Sequence, residues 1–183
     1  MERGVVLVSG GRSIVPLEAA HVDSMWEAIV ESGDSLRPTM PWWTPELSKE
    51  DMNRWAEFAE SEWASGNLYA FSIFDQGTHS YLGAVSLESV NRERMTANLS
   101  YWTRSSATRQ GVASSAARET ARWGIFTLGL HRVEVAIVTS NVPSTRTARA
   151  SGAAFEGTMR NAARWDQRSH DMAYFSFIPD DFR

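Results

Sequence analysis

The sequence contains no cysteine and a single lysine, Lys49, among 183 residues. Without cysteine there are no disulfides, no Cys-ligated zinc, no iron–sulfur cluster and no acyl-enzyme on a thiol. Histidine is scarce too: His21, His79, His131 and His170 are scattered, no two at metal-ligand spacing, so no metal is expected. No apolar run approaches the roughly 18 residues of a membrane span. The N-terminus carries no signal-peptide pattern, which points to a soluble, cytoplasmic protein without a membrane partner. The shortage of lysine makes the positive charge almost purely arginine, 17 of 18 basic residues, and guanidinium forks suit phosphate and carboxylate. They are unevenly placed: residues 1–91 carry 14 acidic and 5 basic side chains, whereas 92–183 carry 8 acidic and 13 basic ones. This asymmetry suggests an anionic ligand on the second half and a neutral or cationic one on the first. With a pI near 5.6, nucleic acid is a poor partner.

Length and a 43% hydrophobic content favour one domain over residues 1–183. Two short β-like runs flank Ser9, Gly10 and Gly11, a hairpin signal. A helix is expected over 18–31, with Val22, Met25, Trp26 and Ile29 on one face and Gly33 as its stop. Three prolines then force an irregular loop containing Trp42 and Trp43. Ser48 and Asp51 form a capping box for a second helix to about Ser65, with Met52, Trp55, Phe58, Ala59 and Trp63 on its apolar side. From there the period changes to two. Strands are expected over 68–74, 81–88 and 97–103, then a glycine turn into a helix, a β-branched strand over 131–139, a short helix over 143–151, and strands over 153–159 and 166–177. The order β-β-α-α-β-β-β-α-β-α-β-β predicts an α/β fold with a mixed, mostly antiparallel sheet and helices on both faces.

The segment from Thr103 to Ser114 joins a strand to a helix through Arg104, Thr108, Arg109, Gln110 and Gly111. A fresh helix N-terminus with a permissive glycine presents free N–H groups to an anion, and two arginines add charge. It is neither a Walker loop nor a full dinucleotide fingerprint; alone, it reads more readily as a capping turn with solvated arginines than as an anion site.

The segments beyond it narrow the reading. Tyr101-Trp102, the loop 108–113, Leu128 to Glu134, Asn141 to Arg146, and Ser151 to Gly157 follow one another without internal gaps. In this order they resemble the GNAT acyltransferase superfamily, and within it the RimJ/RimL-like branch of ribosomal-protein N-terminal acetyltransferases. Leu36-Arg37-Pro38-Thr39-Met40-Pro41-Trp42 is similar to that branch's Leu-Arg-Pro-Trp-Met-Pro-Trp loop.

The resemblance implies a twisted sheet splayed at a V-shaped cleft, with acetyl-CoA or another acyl-CoA as cofactor. Its pyrophosphate would lie on the backbone from Arg109 through Gly111, Val112 and Ala113 to Ser114. Pantetheine would pair with the strand end at Tyr101, Trp102 and Thr103, near Asn141, Ser144 and Arg146. Two departures stand out: Thr108 replaces a Gln or Arg, leaving Arg104 or Arg109 to substitute, and Asn98 stands where relatives often carry a glutamate base. Glu88 is then the first candidate for the base and Ser144 for the acid that protonates CoA thiolate, with Tyr101 and Tyr174 behind it. Ser144 also reads as a helix cap. Trp42, Trp43, Glu88, Asn98 and Trp165 are the candidate acceptor-binding residues, while Trp102 should border the cofactor channel. Arg160, Arg164 and Arg168 straddle a loop and a strand and form no helical stripe.

The leading expectation is an acetyl-CoA-dependent N-acetyltransferase acting on the α-amine of a protein N-terminus or an amino-acid-like small molecule, by direct attack in a ternary complex, as a monomer or homodimer. The alternatives are a detoxifying enzyme for aminoacyl-nucleotides or small aromatic amines, and a catalytically silent acyl-CoA-binding module.

Overall fold

The computed structural model describes residues 4–165 and 167–183. Met1 to Arg3, where the signal-peptide reading begins, and Asp166, the expected start of the last strand, lie outside the described residues. The twelve main elements follow the expected order: β1 (Leu7–Ser9), β2 (Arg12–Pro16), α1 (Val22–Leu36), α2 (Lys49–Ser65), β3 (Tyr69–Asp75), β4 (Tyr81–Asn91), β5 (Thr96–Thr103), α3 (Val112–Phe126), β6 (Arg132–Val138), α4 (Val142–Ala150), β7 (Ala154–Trp165) and β8 (Arg168–Phe177). Short 3-10 turns occupy Ala19–His21, Ser105–Ala107 and Pro179–Phe182. No helix of the described residues is long and apolar enough to cross a membrane.

The strands form one eight-stranded sheet in the order β1-β2-β3-β4-β5-β6-β8-β7. Every neighbouring pair is antiparallel except β5 and β6, which run parallel and pair only over Thr96, Ala97 and Asn98 against Arg132, Val133 and Glu134. Beyond Asn98 the two strands part, while β6 continues along β8 to Val138. Residues 99–103 of β5 therefore keep a strand neighbour on the β4 side alone.

Strand alternation divides the core. Phe71, Val85, Leu87 and Leu99 belong to a large cluster with α3, where Gly124 lets the helix approach Leu87. Ala70 and Tyr81 join Met25, Ile29, Met52 and Ala56 of α1 and α2 in a second cluster. Trp63, in the last turns of α2, packs against Tyr69, Phe71 and Trp123 and so ties α2 to the larger core.

Three expectations need correction. Helix α1 does not stop at Gly33 but runs to Leu36, and Arg37 N–H donates to the Gly33 carbonyl. A Cβ at Gly33 would lie 2.9 Å from Trp43 Cζ2, so this glycine serves a close indole contact rather than a helix end. Phe58 is 52% exposed and lies off the apolar face of α2, although the Ser48–Asp51 capping box and the left-handed Gly66 bound the helix as expected. Strand β7 extends to Trp165, placing Arg160 and Arg164 on a long, exposed hairpin rather than in a loop.

Candidate active site

Strand β5 forms the shared wall of two spaces. On its free edge lies the wedge left by the parting of β5 and β6. Both parallel strands run into this end of the sheet, and a helix begins just beyond each: α3 after β5 and α4 after β6. At the start of α3, Ser115 N–H donates to the Gly111 carbonyl at 3.0 Å, and the first-turn amides of Val112, Ala113 and Ser114 precede any intrahelical acceptor. Gly111 sits at φ +75° with nothing closer to its Cβ direction than Ser114 Oγ at 3.8 Å. Neighbouring Arg109 is exposed and also left-handed, at φ 62°. An unpaired strand edge, free amides and open space above a glycine fit a pantetheine diphosphate: the edge matches its amides and the helix end its phosphates.

The loop carrying these groups is fixed from two sides. Arg104 Nε lies 2.5 Å from Glu31 Oε2 of α1, and the other oxygen of Glu31 accepts Ser106 N–H at 2.9 Å. Ser32 Oγ accepts Ser105 N–H at 2.9 Å. These bonds hold the Glu31 carboxyl below the usual carboxylate range, with the Ser106 hydrogen bonds as the larger cause and Arg104 adding to them. From β2, Arg12 Nη2 donates to the Gln110 carbonyl at 2.5 Å, while Thr108 Oγ1 and Gln110 Nε2 are spent within the loop on Ser105 and Ser106 carbonyls. Arg104 is thus a tether, while Arg109 makes no ion pair among the described residues and stands exposed at the helix end.

Across the wedge, Tyr101 Oη donates to the Ser144 carbonyl at 3.0 Å and accepts Ser144 Oγ–H at 3.1 Å. Burial pushes the Tyr101 phenol up to about 12, partly offset by Ser144, so it keeps its proton at neutral pH. The cap of α4 is Asn141, whose Oδ1 accepts Ser144 N–H at 3.1 Å. Ser144 is the capped residue rather than the cap, and its hydroxyl faces Tyr101. Arg146 is exposed on the same helix.

On the opposite side of the sheet, β4, β5, α1, α2 and the Pro-Trp loop enclose a cavity of about 300 Å³. Glu88 stands in its wall. Glu88 Oε1 accepts from Ser86 Oγ at 2.6 Å and from Ser100 Oγ, and the two serine oxygens are 2.8 Å apart. Oε2 makes no hydrogen bond to the described residues. The rest of the lining is mostly apolar, including Met25, Ile29, Met52, Trp42, Trp55 and Trp102. A register shift follows Glu88 immediately, with Ser89 at φ 51°; such a bulge re-aims the side chain beside it.

The structure separates the expected acceptor residues. Trp42 and Glu88 line the cavity, and Trp102, expected beside the cofactor, lines it too, with its ring centroid 6.4 Å from that of Trp42. Trp43 packs over Gly33 with Arg37 above it, so it anchors the loop to α1. Asn98 pairs with Glu88 across β4 and β5 but is not part of the cavity lining. Trp165 stacks on His170 at 3.6 Å within the last hairpin. Tyr174 pairs with Ala136 and Gly157 in the sheet interior. Ser86 and Ser100 were not foreseen, since fourteen residues separate them in the chain; only the pairing register brings them together.

The family model described as "Acetyltransferase (GNAT) domain" matches residues 13–154. Among solved structures the chain is similar to RimL, a ribosomal L7/L12 α-N-protein acetyltransferase in complex with coenzyme A, with a TM-score of 0.87 and 19% identity over 97% of this chain and 99% of that one. It is similar to the ribosomal-protein-S5-alanine acetyltransferase from Vibrio fischeri, with a TM-score of 0.86 and 18% identity over 98% and 99% of the two chains. The microcin C7 self-immunity acetyltransferase MccE, in complex with acetyl-CoA and AMP, gives 0.85 and 16% over 93% of each chain. At these identities the likeness is one of fold.

Proposed function

The chain belongs to the GNAT acetyltransferase family, and from that premise we propose that residues 1–183 act as a single catalytic domain that transfers an acetyl group from acetyl-CoA to a primary α-amine, of a protein N-terminus or of an amino-acid-like small molecule. One observation carries this reading: the free edge of β5 lies on the wedge side and the Glu88–Ser86–Ser100 cluster meets the same strand from the cavity side. A thioester held along the edge and an amine held in the cavity would meet across one backbone.

Acetyl-CoA, when bound, supplies the acetyl group as a thioester. The amides of Val112, Ala113 and Ser114, with Arg109, would hold its diphosphate, and the edge 99–103 and Asn141 its pantetheine. Glu88 Oε2 is the oxygen free to take the proton that the amine loses as its C–N bond forms, directly or through one water. The cluster has two hydroxyl protons for three contacts, so the carboxylate holds both serines in place without being saturated. Backbone N–H groups along the free edge can donate to the carbonyl oxygen as negative charge grows there. Tyr101 keeps its proton at Oη and is the acid for the departing sulfur as the C–S bond breaks; Ser144 Oγ–H holds the phenolate oxygen until water reprotonates it, and Glu88 gives the amine's proton up to solvent.

With no cysteine to be acylated, transfer proceeds directly in a ternary complex. The test is CoA release with N-terminal peptides and small primary amines at varied concentrations of both substrates. Intersecting double-reciprocal lines are expected. Parallel lines with a trapped acylated residue would refute direct transfer, and acetyl-CoA binding without turnover of any amine would make the protein a silent binding module.

A further inference from the structure

The chemistry of the cavity around Glu88 restricts which amine it takes, an inference that rests on the transferase reading above. Charge comes first. Among the described residues that line it, Glu88 is the only carboxylate and there is no Arg, Lys or His. The two polar neighbours of Glu88 are Ser86 and Ser100, and both are committed to it. A carboxylate or phosphate next to the acceptor nitrogen would find no cation and would be repelled by Glu88.

Shape is the second restriction. At about 300 Å³ the cavity lies at the small end of ligand sites, room for one compact group rather than for a nucleotide or a folded peptide end. Its walls are set: Met25 and Ile29 are each 2% exposed and Met52 8%. Trp55 and Trp102 add aromatic faces, and Trp42, 40% exposed, stands at the mouth. An amine with a hydroxymethyl or methyl substituent would leave these walls wetted, whereas an aryl or branched alkyl group would bury its surface on them.

We propose that the acceptor is a primary amine carrying an aryl or branched-alkyl group within one or two carbons of the nitrogen, with no anionic group beside it. The ammonium end meets Glu88, and the apolar group lies among Met25, Ile29, Met52 and the three indoles.

The test uses the full chain, acetyl-CoA and a matched panel: 2-phenylethylamine, tryptamine, phenylalanine amide, free phenylalanine, and seryl and alanyl tetrapeptides. The aryl amines and phenylalanine amide should exceed both peptides in kcat/KM by roughly 10- to 100-fold, the range expected for filling or leaving empty an apolar pocket. Phenylalanine amide should exceed free phenylalanine by about 10-fold or more, because only the latter brings a carboxylate to Glu88. Trp42→Ala should lower the ratio of tryptamine to alanyl-peptide turnover by about 10-fold. Peptides that equal or surpass the aryl amines, or free phenylalanine that equals its amide, would overturn this assignment and leave the transferase reading standing. Calorimetric binding of acetyl-CoA with no turnover of any amine would overturn both. Trp42 stands at the mouth, and the wild-type panel decides the matter whether or not that variant folds.

Discussion

Replacing Gly111 by alanine separates a phosphate cradle from a mere helix start. Gly111 lies at φ +75°, where a non-glycine residue costs about 1–2 kcal/mol. The nearest protein atom to its Cβ direction is Ser114 Oγ at 3.8 Å, so the folded chain itself would not clash with the added methyl. The stability loss should stay near that backbone cost, a fall of a few degrees in Tm for a chain of this length. The methyl would, however, occupy the space above the α3 amides. Losing one hydrogen bond from these amides to a charged phosphate costs about 1.5–3 kcal/mol, which at about 1.4 kcal/mol per decade raises the KM for acetyl-CoA roughly 10- to 100-fold. Gly66→Ala is the matched control. It has nearly the same backbone, φ +73°, at the C-terminal end of α2, where its added methyl would push Arg92 Nη2 off the Ser65 carbonyl and lie 3.2 Å from the Tyr69 hydroxyl. It should lose at least as much stability and leave the KM for acetyl-CoA unchanged. Calorimetry and steady-state thiol release measure both. If Gly111→Ala loses stability but binds acetyl-CoA normally, or if Gly66→Ala raises KM equally, the glycine is only a capping residue and the diphosphate is held elsewhere.

Glu88→Gln keeps the size of the side chain and its serine neighbours but cannot accept a proton; kcat should fall about 100- to 1000-fold with the KM for acetyl-CoA within about two-fold, and a loss below five-fold would remove Glu88 as the base. Glu31→Ala frees Arg104 and leaves Ser106 N–H without its acceptor, costing about 1–2 kcal/mol; its signature is a several-fold rise in the KM for acetyl-CoA at nearly constant kcat, and a variant that merely melts earlier would show that the clasp does not position the loop. Tyr101 supplies a prediction in alkali. Its phenol titrates near 12 when folded against 10 when unfolded, so its stabilising effect is complete below pH 10 and is lost at about 1.4 kcal/mol per pH unit as pH rises from 10 towards 12. The buried Tyr81 is raised in the same direction. Urea unfolding at pH 9 and 11 should therefore show a smaller drop for Tyr101→Phe than for wild type, and equal drops would mean that this phenol ionises freely in the fold.

The order of elements was legible because each carries a local signal: the Ser48–Asp51 box, the left-handed glycine at 66, and the change of period after it. What depends on contacts between distant segments was not. Gly33 looks like a helix stop in the chain and becomes one side of an indole contact only once Trp43 folds back over α1. The serine pair around Glu88 has a sharper cause. Asn91 pairs with Thr96, and a continuous ladder from that point would set Glu88 opposite Leu99; the bulge moves it opposite Asn98 and brings Ser86 opposite Ser100. A one-residue slip exchanges the two faces of a strand, so no count along the sequence could find this site without locating the bulge. The wedge is similar: that the β5 and β6 pairing ends after three residues is a property of the whole sheet, and it was reached by family resemblance rather than by pattern.

The uneven distribution of arginine takes on a different meaning in the folded chain. Arg92 donates to the Ser65 carbonyl, Arg118 to the carbonyls of Ser151 and Asp181, and Arg132 to Glu134 and Glu156. Arg104 is bound to Glu31. Much of the positive half therefore fastens loops and strands, whereas Arg109 and Arg146 stay exposed beside the starts of α3 and α4. The Arg104–Glu31 pair has the further consequence that it crosses from the acidic half to the basic one. Helix α1, which supplies Met25 and Ile29 to the acceptor cavity, is bolted through Glu31 and Ser32 to the turn that leads into the α3 amides. An apolar group pressing on Met25 and Ile29 and a diphosphate seated at Gly111 thus load opposite ends of one connected unit. If that unit moves as a body, occupancy of either site should tighten the other by the same factor, as linkage requires. A calorimetric titration of CoA, which has no acyl group to transfer, with and without 2-phenylethylamine should show this coupling in wild type and lose it in Glu31→Ala; equal coupling in both proteins would mean that the two sites communicate through β5 alone.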